Sequence, residues 1–241
     1  MRAYLFSRFI RSVLFFILAG SCMSLSVMAQ LPETKLMLFD MQRHGKTFNL
    51  LNPHALNAGS HYTNQPYFSP DGDDLFFVSS VDSTNTEIYR YDLNRHKLHR
   101  LTRTHEPEYS PRYTPGLDGI SAVVVEKDKT TQHFYVFNRK CRKGKVLLPQ
   151  VSTVGYYDWV TEAELLTFEL PEPFYLVRHL LMQNRSDTLA AHIGRTFYYV
   201  RNKNRIVYID KSDSLHWQLR TVAPDNLRIS RLKKGPVENP V

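Results

Sequence analysis

The sequence contains little cysteine and little glycine. Its 241 residues include two cysteines, Cys22 and Cys141, and only ten glycines. So few cysteines exclude a disulfide-stapled fold, and so little glycine excludes a collagen-like chain. Hydrophobic residues make up 42% of the chain and charged residues 22%, which is the composition of a globular protein rather than of a disordered one.

A short apolar run lies near the N-terminus. Three arginines without an acidic residue precede the apolar stretch 13–18, and small residues follow up to Ala29. This order of positive, apolar and small residues is typical of a secretory signal peptide. We therefore predict a signal peptide over residues 1–29, cleaved after Ala29, and a single exported domain over residues 30–241, located in the periplasm or secreted.

Two alternatives would keep the N-terminal segment in the membrane. One is an uncleaved anchor, although the strongly apolar part is shorter than the roughly 20 residues that span a bilayer. The other is lipidation of Cys22, where Ala19 occupies a position at which lipoproteins prefer an aliphatic residue. Membrane association is expected only in these two cases.

Removal of the signal peptide changes what the charge and cysteine content imply. The net charge falls from +8 to +5, which is ordinary for a chain of this size, so no nucleic-acid partner is expected. Cys141 is then the one remaining cysteine, and no internal disulfide can form.

From Leu36 onward, short apolar–polar alternating runs are separated by turn residues, and no segment shows a convincing helical period. This pattern predicts an all-β protein. The clearest unit is residues 61–104. Its four strand-like runs are Pro66 to Ser69, Leu75 to Ser80, Glu87 to Leu93 and Leu98 to Thr102. Between the first two, the proline, aspartate and glycine of Ser69-Pro70-Asp71-Gly72 predict a tight hairpin turn.

The same order of aromatic residue, turn and apolar strand returns along the chain. It recurs at Phe68, Tyr113, Trp159 and Tyr199, at spacings of 45, 46 and 40 residues. A period of about 40 to 45 residues with four strands per unit predicts the blades of a β-propeller. A β-sandwich is the alternative, but it does not require one order of features to return at a fixed period.

The run Asn64 to Gly72, NQPYFSPDG, is followed by LFFVSS and then EIYRYDL. These motifs resemble the WD40-like repeat of the TolB-type β-propellers, and the resemblance extends more loosely over residues 36–232. It implies a six-bladed, periplasmic or extracellular propeller that serves as a binding platform. The α/β domain that precedes the propeller in TolB has no counterpart expected here, since about six residues separate Ala29 from the first predicted strand.

The blade count departs from the family pattern. Residues 36–42 and 47–52 supply only the outer two strands of a first blade, and four fuller units follow. We therefore expect about five four-stranded blades. Either the ring closes irregularly, or a sixth blade has been lost after Leu232, which would leave exposed sheet edges.

Motifs for catalysis are missing from the sequence. It has no G-x-S-x-G elbow and no glycine-rich phosphate loop after a strand. Five cations within residues 139–145 could contact an acidic partner or anionic headgroups, or could protect the edge of an outer hairpin. Cys141 lies among these cations, which would favour its thiolate and make it redox-reactive.

The pattern favours a protein-binding or scaffolding module that contacts a cell-envelope protein through inter-blade loops. The loops are 57–65, 104–110, 150–156 and 193–196, and the candidate binding residues are His61, Asn64, Gln65, His105, Glu106, Glu108, Tyr156 and Arg195. No catalytic residue, metal ligand or cofactor is predicted. The alternative is a carbohydrate-active hydrolase or lyase of the propeller fold that uses channel-facing acidic and histidine residues.

Overall fold

A computed structural model describes residues 31–56, 62–80, 82, 85–138, 140–142, 144–225 and 228–232. Over these residues the chain forms strands and two single turns of 3-10 helix, Leu181–Gln183 and Arg201–Lys203. The strands in chain order are β1 (Leu36–His44), β2 (Thr47–Leu56), β3 (Thr63–Phe68), β4 (Asp74–Ser80), β5 (Thr86–Asp92), β6 (Lys97–Arg100), β7 (Glu108–Tyr113), β8 (Gly119–Val125), β9 (Gln132–Asn138), β10 (Gly144–Val146), β11 (Val154–Thr161), β12 (Glu164–Glu169), β13 (Tyr175–Leu180), β14 (Arg185–Ala191), β15 (Ile193–Val200), β16 (Arg205–Asp210), β17 (Gln218–Val222) and β18 (Ile229–Arg231).

These strands form five antiparallel sheets, each a meander in chain order. Strands β1 and β2 form a two-stranded sheet, and the other strands form four sheets of four strands. We call the four-stranded sheets blade 1 (β3–β6), blade 2 (β7–β10), blade 3 (β11–β14) and blade 4 (β15–β18). The sheets are arranged as a β-propeller, which confirms the predicted fold class and the expectation of about five sheets.

Apolar residues on neighbouring positions of the central strands point to opposite sides of a blade, because side chains alternate along a strand. In β4, Phe76 packs towards blade 2, whereas Leu75 and Phe77 pack towards the two-stranded sheet. A central strand is therefore apolar at consecutive positions, as LFFV shows, and buries both of its faces.

Four apolar clusters result, one at each junction between consecutive sheets. Leu56 joins the two-stranded sheet to blade 1, and Phe137 belongs to the cluster between blades 1 and 2. Phe134 belongs to the cluster between blades 2 and 3, and Phe168 to the cluster between blades 3 and 4. Aromatic and branched side chains at these junctions supply the burial that holds the sheets together.

The first turn of blade 1 follows the chemistry expected of Ser69-Pro70-Asp71-Gly72. Gly72 adopts a φ of 80°, a left-handed conformation in which a side chain would be strained. Its N–H donates to the carbonyl of Ser69 over 3.0 Å, and the Ser69 hydroxyl donates to the Asp71 carboxylate over 2.5 Å. The turn therefore closes the hairpin between β3 and β4.

The first strand of every blade carries an irregularity in its pairing. The register shifts between Asn64 and Tyr67, between Tyr109 and Arg112, and at the corresponding places in β11 and β15. Gln65 and Ser110, 45 residues apart, both have positive φ values, of 57° and 54°. The repeat thus preserves a β-bulge that bends each inner strand.

Candidate functional site

The inner strands of all four blades end around one pocket of about 290 Å³, which we call the aromatic pocket. It lies where β3, β7, β11 and β15 finish and the chain turns outward into the second strand of each blade. Its lining residues are five aromatics, two arginines, one aspartate and two prolines: Tyr67, Tyr113, Trp159, Tyr198, Tyr199, Arg112, Arg201, Asp158, Pro70 and Pro115.

Four of these residues occupy one position of the structural repeat. Tyr67 is opposite Phe76 in its hairpin, Arg112 opposite Ser121, Asp158 opposite Leu166 and Tyr198 opposite Val207. Each stands one residue before the aromatic residue that marks the repeat in the sequence. The fold therefore brings the same repeat position of each blade to the pocket. The residue at that position differs from blade to blade.

An ion pair crosses the pocket wall between blades 2 and 3. Arg112 Nη1 donates to Asp158 Oδ1 over 2.9 Å, and the other oxygen of Asp158 accepts the backbone N–H of Tyr199 over 3.0 Å. Asp158 therefore links three blades. Burial raises the pKa of the Asp158 carboxyl, and the charge of Arg112 opposes this rise.

Both arginines lie against aromatic rings. The guanidinium carbon of Arg112 is 5.3 Å from the ring centre of Tyr67 and 5.7 Å from that of Tyr157. Arg201 lies 5.9 Å from the ring centre of Tyr199 and donates to the carbonyl of Val160 over 2.8 Å. These cation–π contacts hold the pocket wall in place.

The pocket wall also offers an accessible aromatic surface. Tyr198 is 58% exposed, whereas Phe197 beside it is buried. Exposed tyrosine beside arginine is the residue combination that dominates binding hot spots. Among the described residues that line the pocket there is one carboxylate and no histidine, so the pocket offers recognition groups rather than an acid–base pair.

The predicted site residues lie in the connections before the inner strands or in the first half of these strands. Gln65 is two residues before Tyr67, and Tyr156 is two residues before Asp158, so the predicted residues precede the pocket lining on the same strands. Of the predicted residues that the structure describes, none lines the aromatic pocket. His61 lies outside the described residues.

Three of the predicted residues take structural contacts at the start of the inner strands. The side-chain oxygen of Gln65 accepts the backbone N–H of Ser110 over 2.7 Å, which ties blade 1 to blade 2. The side-chain oxygen of Asn64 accepts the N–H of Gln65 over 2.7 Å. Tyr156 packs edge-on against Phe168 at 5.8 Å. His105 and Arg195 are exposed.

Glu106 and Glu108 have different surroundings. Glu108 is 1% exposed and accepts hydrogen bonds from the hydroxyls of Thr102, over 2.9 Å, and Thr104. Burial, with a contribution from the nearby charge of Glu87, raises the pKa of Glu108 to about 8. Glu106 lies 3.9 Å from the ammonium of Lys127 instead.

The prediction that Cys141 is a reactive thiolate is wrong, because the side chain is buried. Its side chain is 3% exposed and belongs to the apolar cluster between blades 1 and 2. Burial raises the pKa of the thiol to about 11, so at neutral pH the sulfur is a protonated, inaccessible thiol. The neighbouring cations do not outweigh this burial.

The described residues contain neither a cluster suited to a metal ion nor a membrane-spanning helix. No group of three or more histidine, cysteine, aspartate or glutamate side chains is placed to hold a metal ion there. No helix in the same residues has the length and hydrophobicity to cross a membrane.

Comparison with known proteins gives structural likeness only. No family model and no curated protein sequence matches the chain. The structure of TolB from Acinetobacter baumannii superposes with a TM-score of 0.60 at 17% identity, covering 76% of this chain and 45% of that chain. A TolB from Agrobacterium tumefaciens gives 0.61 at 12% identity, covering 78% and 66% respectively.

Propeller-bearing peptidases are similar to the same degree. A puromycin-hydrolyzing peptidase of Mycobacterium tuberculosis gives a TM-score of 0.59 at 16% identity, covering 78% of this chain and 32% of that chain. The chain spans less than two thirds of the length of each of these proteins. Identities this low establish the fold alone.

The fold and the pocket define the class of the protein, which is a β-propeller with its concave site at the ends of the inner strands. In fold the propeller is similar to those of the two TolB structures, the family that the motifs NQPYFSPDG and EIYRYDL resemble.

Proposed function

We propose that the protein is an exported β-propeller that binds a protein of the cell envelope, and that the aromatic pocket makes the contact. The observation that carries this proposal is the convergence of Tyr67, Arg112, Asp158 and Tyr198 from four blades on one pocket. Tyrosine and arginine are enriched at the centres of protein–protein interfaces.

The chemistry of the pocket favours binding over hydrolysis. The hydrolase alternative requires several acidic or histidine side chains to converge, and the described lining of the pocket supplies Asp158 alone. That carboxylate is already engaged by Arg112 and by the backbone of Tyr199. We assign the partner to the envelope because the sequence begins with the features of a signal peptide over residues 1–29.

The proposal is tested by cross-linking capture from the periplasmic fraction. Photo-activatable cross-linker is placed at the pocket rim, and captured proteins are compared between the wild type and Tyr198→Ala. Removing the exposed ring is expected to reduce capture of a partner at least about tenfold, which is the effect of a hot spot near 1.4 kcal/mol.

Tyr175→Ala provides the matched control, since Tyr175 is also an exposed tyrosine, at 37%, but lies on β13 away from the pocket. Capture by this variant should equal that of the wild type. Equal loss in both variants, or capture that neither variant alters, would refute the pocket as the contact site. Mass spectrometry of the purified N-terminus checks cleavage after Ala29 in the same preparation.

A further inference from the structure

A second concave surface lies between blades 1 and 2 and shares no residue with the aromatic pocket. It is a groove of about 450 Å³, which we call the basic groove. Its polar lining is dominated by basic side chains: Arg90, His99, Arg100, Arg103, Lys140 and Arg142. The described residues that line it include neither aspartate nor glutamate.

The cations of the groove come from three separate parts of the chain. Arg90 on β5 is directly opposite His99 on β6, so both side chains are on one face of blade 1. Arg103 follows in the connection to blade 2, and Lys140 and Arg142 lie in the turn between β9 and β10. A solvated turn explains the last two cations, but it does not explain why blade 1 adds arginines facing them.

The turn between β9 and β10, which lines the basic groove, is fixed in place by its own contacts. Cys141 has a φ of 50° and places its side chain in the apolar cluster with Phe137. The side-chain oxygen of Asn138 accepts the N–H groups of Lys140, over 3.1 Å, and Arg142, over 3.3 Å. The buried thiol of Cys141 therefore anchors the turn, and the side chains on either side of it, Lys140 and Arg142, remain exposed.

The positive charge of the groove is only partly compensated. Arg100 pairs with Glu87 over 3.0 Å, and Arg90 lies 3.6 Å from Asp74. Within the described part of the chain, Arg103, Lys140 and Arg142 form no ion pair. Among the described atoms, Arg90 Nε is buried without a hydrogen-bond acceptor. Like charges held together raise the free energy of the folded state unless an anion binds between them.

We propose that the basic groove binds the phosphate group of an anionic ligand. A phosphate offers several acceptor oxygens and nearly two negative charges, which match the guanidinium donors of Arg90 and Arg103 and the ammonium of Lys140. A volume of about 450 Å³ accommodates such a group together with the molecule that carries it. The ligand is either a soluble phosphorylated compound or the headgroup of an anionic lipid.

Two probes separate these sources. Inorganic pyrophosphate binding is measured by isothermal titration calorimetry at constant ionic strength, and vesicles of phosphatidylcholine with and without phosphatidylglycerol are used in co-sedimentation. The groove variant combines Arg103→Gln, Lys140→Gln and Arg142→Gln, all at exposed positions. It should bind whichever probe the wild type binds roughly tenfold or more weakly, since charge-assisted hydrogen bonds are removed.

The control variant combines Lys46→Gln, Lys203→Gln and Arg231→Gln, which removes the same net charge at exposed positions outside the groove. It should retain wild-type binding. Binding of pyrophosphate alone identifies a soluble ligand, and binding of phosphatidylglycerol vesicles identifies a lipid headgroup. The proposal is overturned if neither probe binds the wild type, or if both triple variants weaken binding equally.

Discussion

At the scale of single residues, Glu108 is the group whose burial most alters its chemistry. The carboxyl is enclosed between the hydroxyls of Thr102 and Thr104, with the charge of Glu87 nearby. A pKa raised from 4.5 to about 8 means that the folded protein holds a proton here which the unfolded chain releases above about pH 4.5. The folded state is therefore favoured most at low pH by this group.

Replacing Glu108 with glutamine is expected to flatten the pH dependence of stability. The contribution of Glu108 is fully present below about pH 4.5 and is lost as the pH rises through about 8, with a slope of at most about 1.4 kcal/mol per pH unit. Urea denaturation of the wild type and Glu108→Gln at several pH values measures the difference. Glu33→Gln, at an exposed position 3.9 Å from Lys35, is the control and should keep the wild-type slope. Equal slopes in the wild type and Glu108→Gln would contradict the assignment.

Sequence reasoning had uneven success with individual residues. It recognised the chemistry of Asp71 and Gly72, because a tight turn depends on a few consecutive residues. It misjudged Cys141, whose reactivity is decided by burial against Phe137 and other residues distant in sequence. It also left Arg112 unnoticed, since the partner of that arginine, Asp158, is 46 residues away.

At the scale of structural elements, the inner strands are connected to one another by polar side chains. Gln65 binds the backbone of Ser110, whose carbonyl accepts the hydroxyl of Tyr157 over 2.8 Å. Arg112 and Asp158 make the corresponding link near the other end of the strands. Bulged inner strands are thus fixed to their neighbours at both ends.

A double-mutant cycle on Arg112 and Asp158 should show strong coupling. The two side chains are 26% and 8% exposed, so their interaction is screened less than that of a surface pair. We expect a coupling free energy of about 1–2 kcal/mol from Arg112→Ala, Asp158→Ala and the double variant in denaturant unfolding. Asp158→Ala should cost more than Arg112→Ala, because it also leaves the N–H of Tyr199 without its acceptor.

The exposed pair Arg185 and Asp187, also 2.9 Å apart, is the comparison. Its coupling should be below about 0.5 kcal/mol because water screens it. Similar coupling in both pairs would show that Asp158 does not serve as a link between blades.

The elements themselves followed closely from the sequence. The predicted strand Leu75 to Ser80 is observed as Asp74–Ser80, because continuous apolar residues bounded by turns define a central strand. The predicted strand Pro66 to Ser69 instead begins earlier, at Thr63, since the bulge at Gln65 interrupts the alternation on which the prediction relied. The residue before each repeat aromatic lines the aromatic pocket, so the repeat itself carried a signal for this site, whereas the predicted contact residues lay in the inter-blade loops.

At the scale of the whole molecule, the sheets differ in how completely they are covered. The central strands β4, β8 and β12 pair on both edges and are covered on both faces. The two-stranded sheet packs one face against blade 1, and its other face exposes Met41 at 67% and Leu50 at 61%. Local stability should therefore be graded across the molecule.

Hydrogen exchange followed by mass spectrometry should reveal this gradation. Amides of β1 and β2 are expected to exchange faster than those of β4, β8 and β12, because fewer buried contacts must break to open them. Leu56→Ala should accelerate exchange in β1 and β2 further, since Leu56 joins this sheet to blade 1, whereas Leu50→Ala at the exposed face should not. Uniform protection across all five sheets would contradict the gradation.

The shared register of Tyr67, Arg112, Asp158 and Tyr198 bears on how the lining of the pocket can vary. Duplication of a blade copies one wall position of the pocket together with the backbone that presents it. Substitutions at this position change the lining of the pocket while the apolar clusters between the sheets stay in place. The pocket wall can therefore vary most freely where the repeated position is exposed and free of the inter-blade ion pair, as at Tyr198.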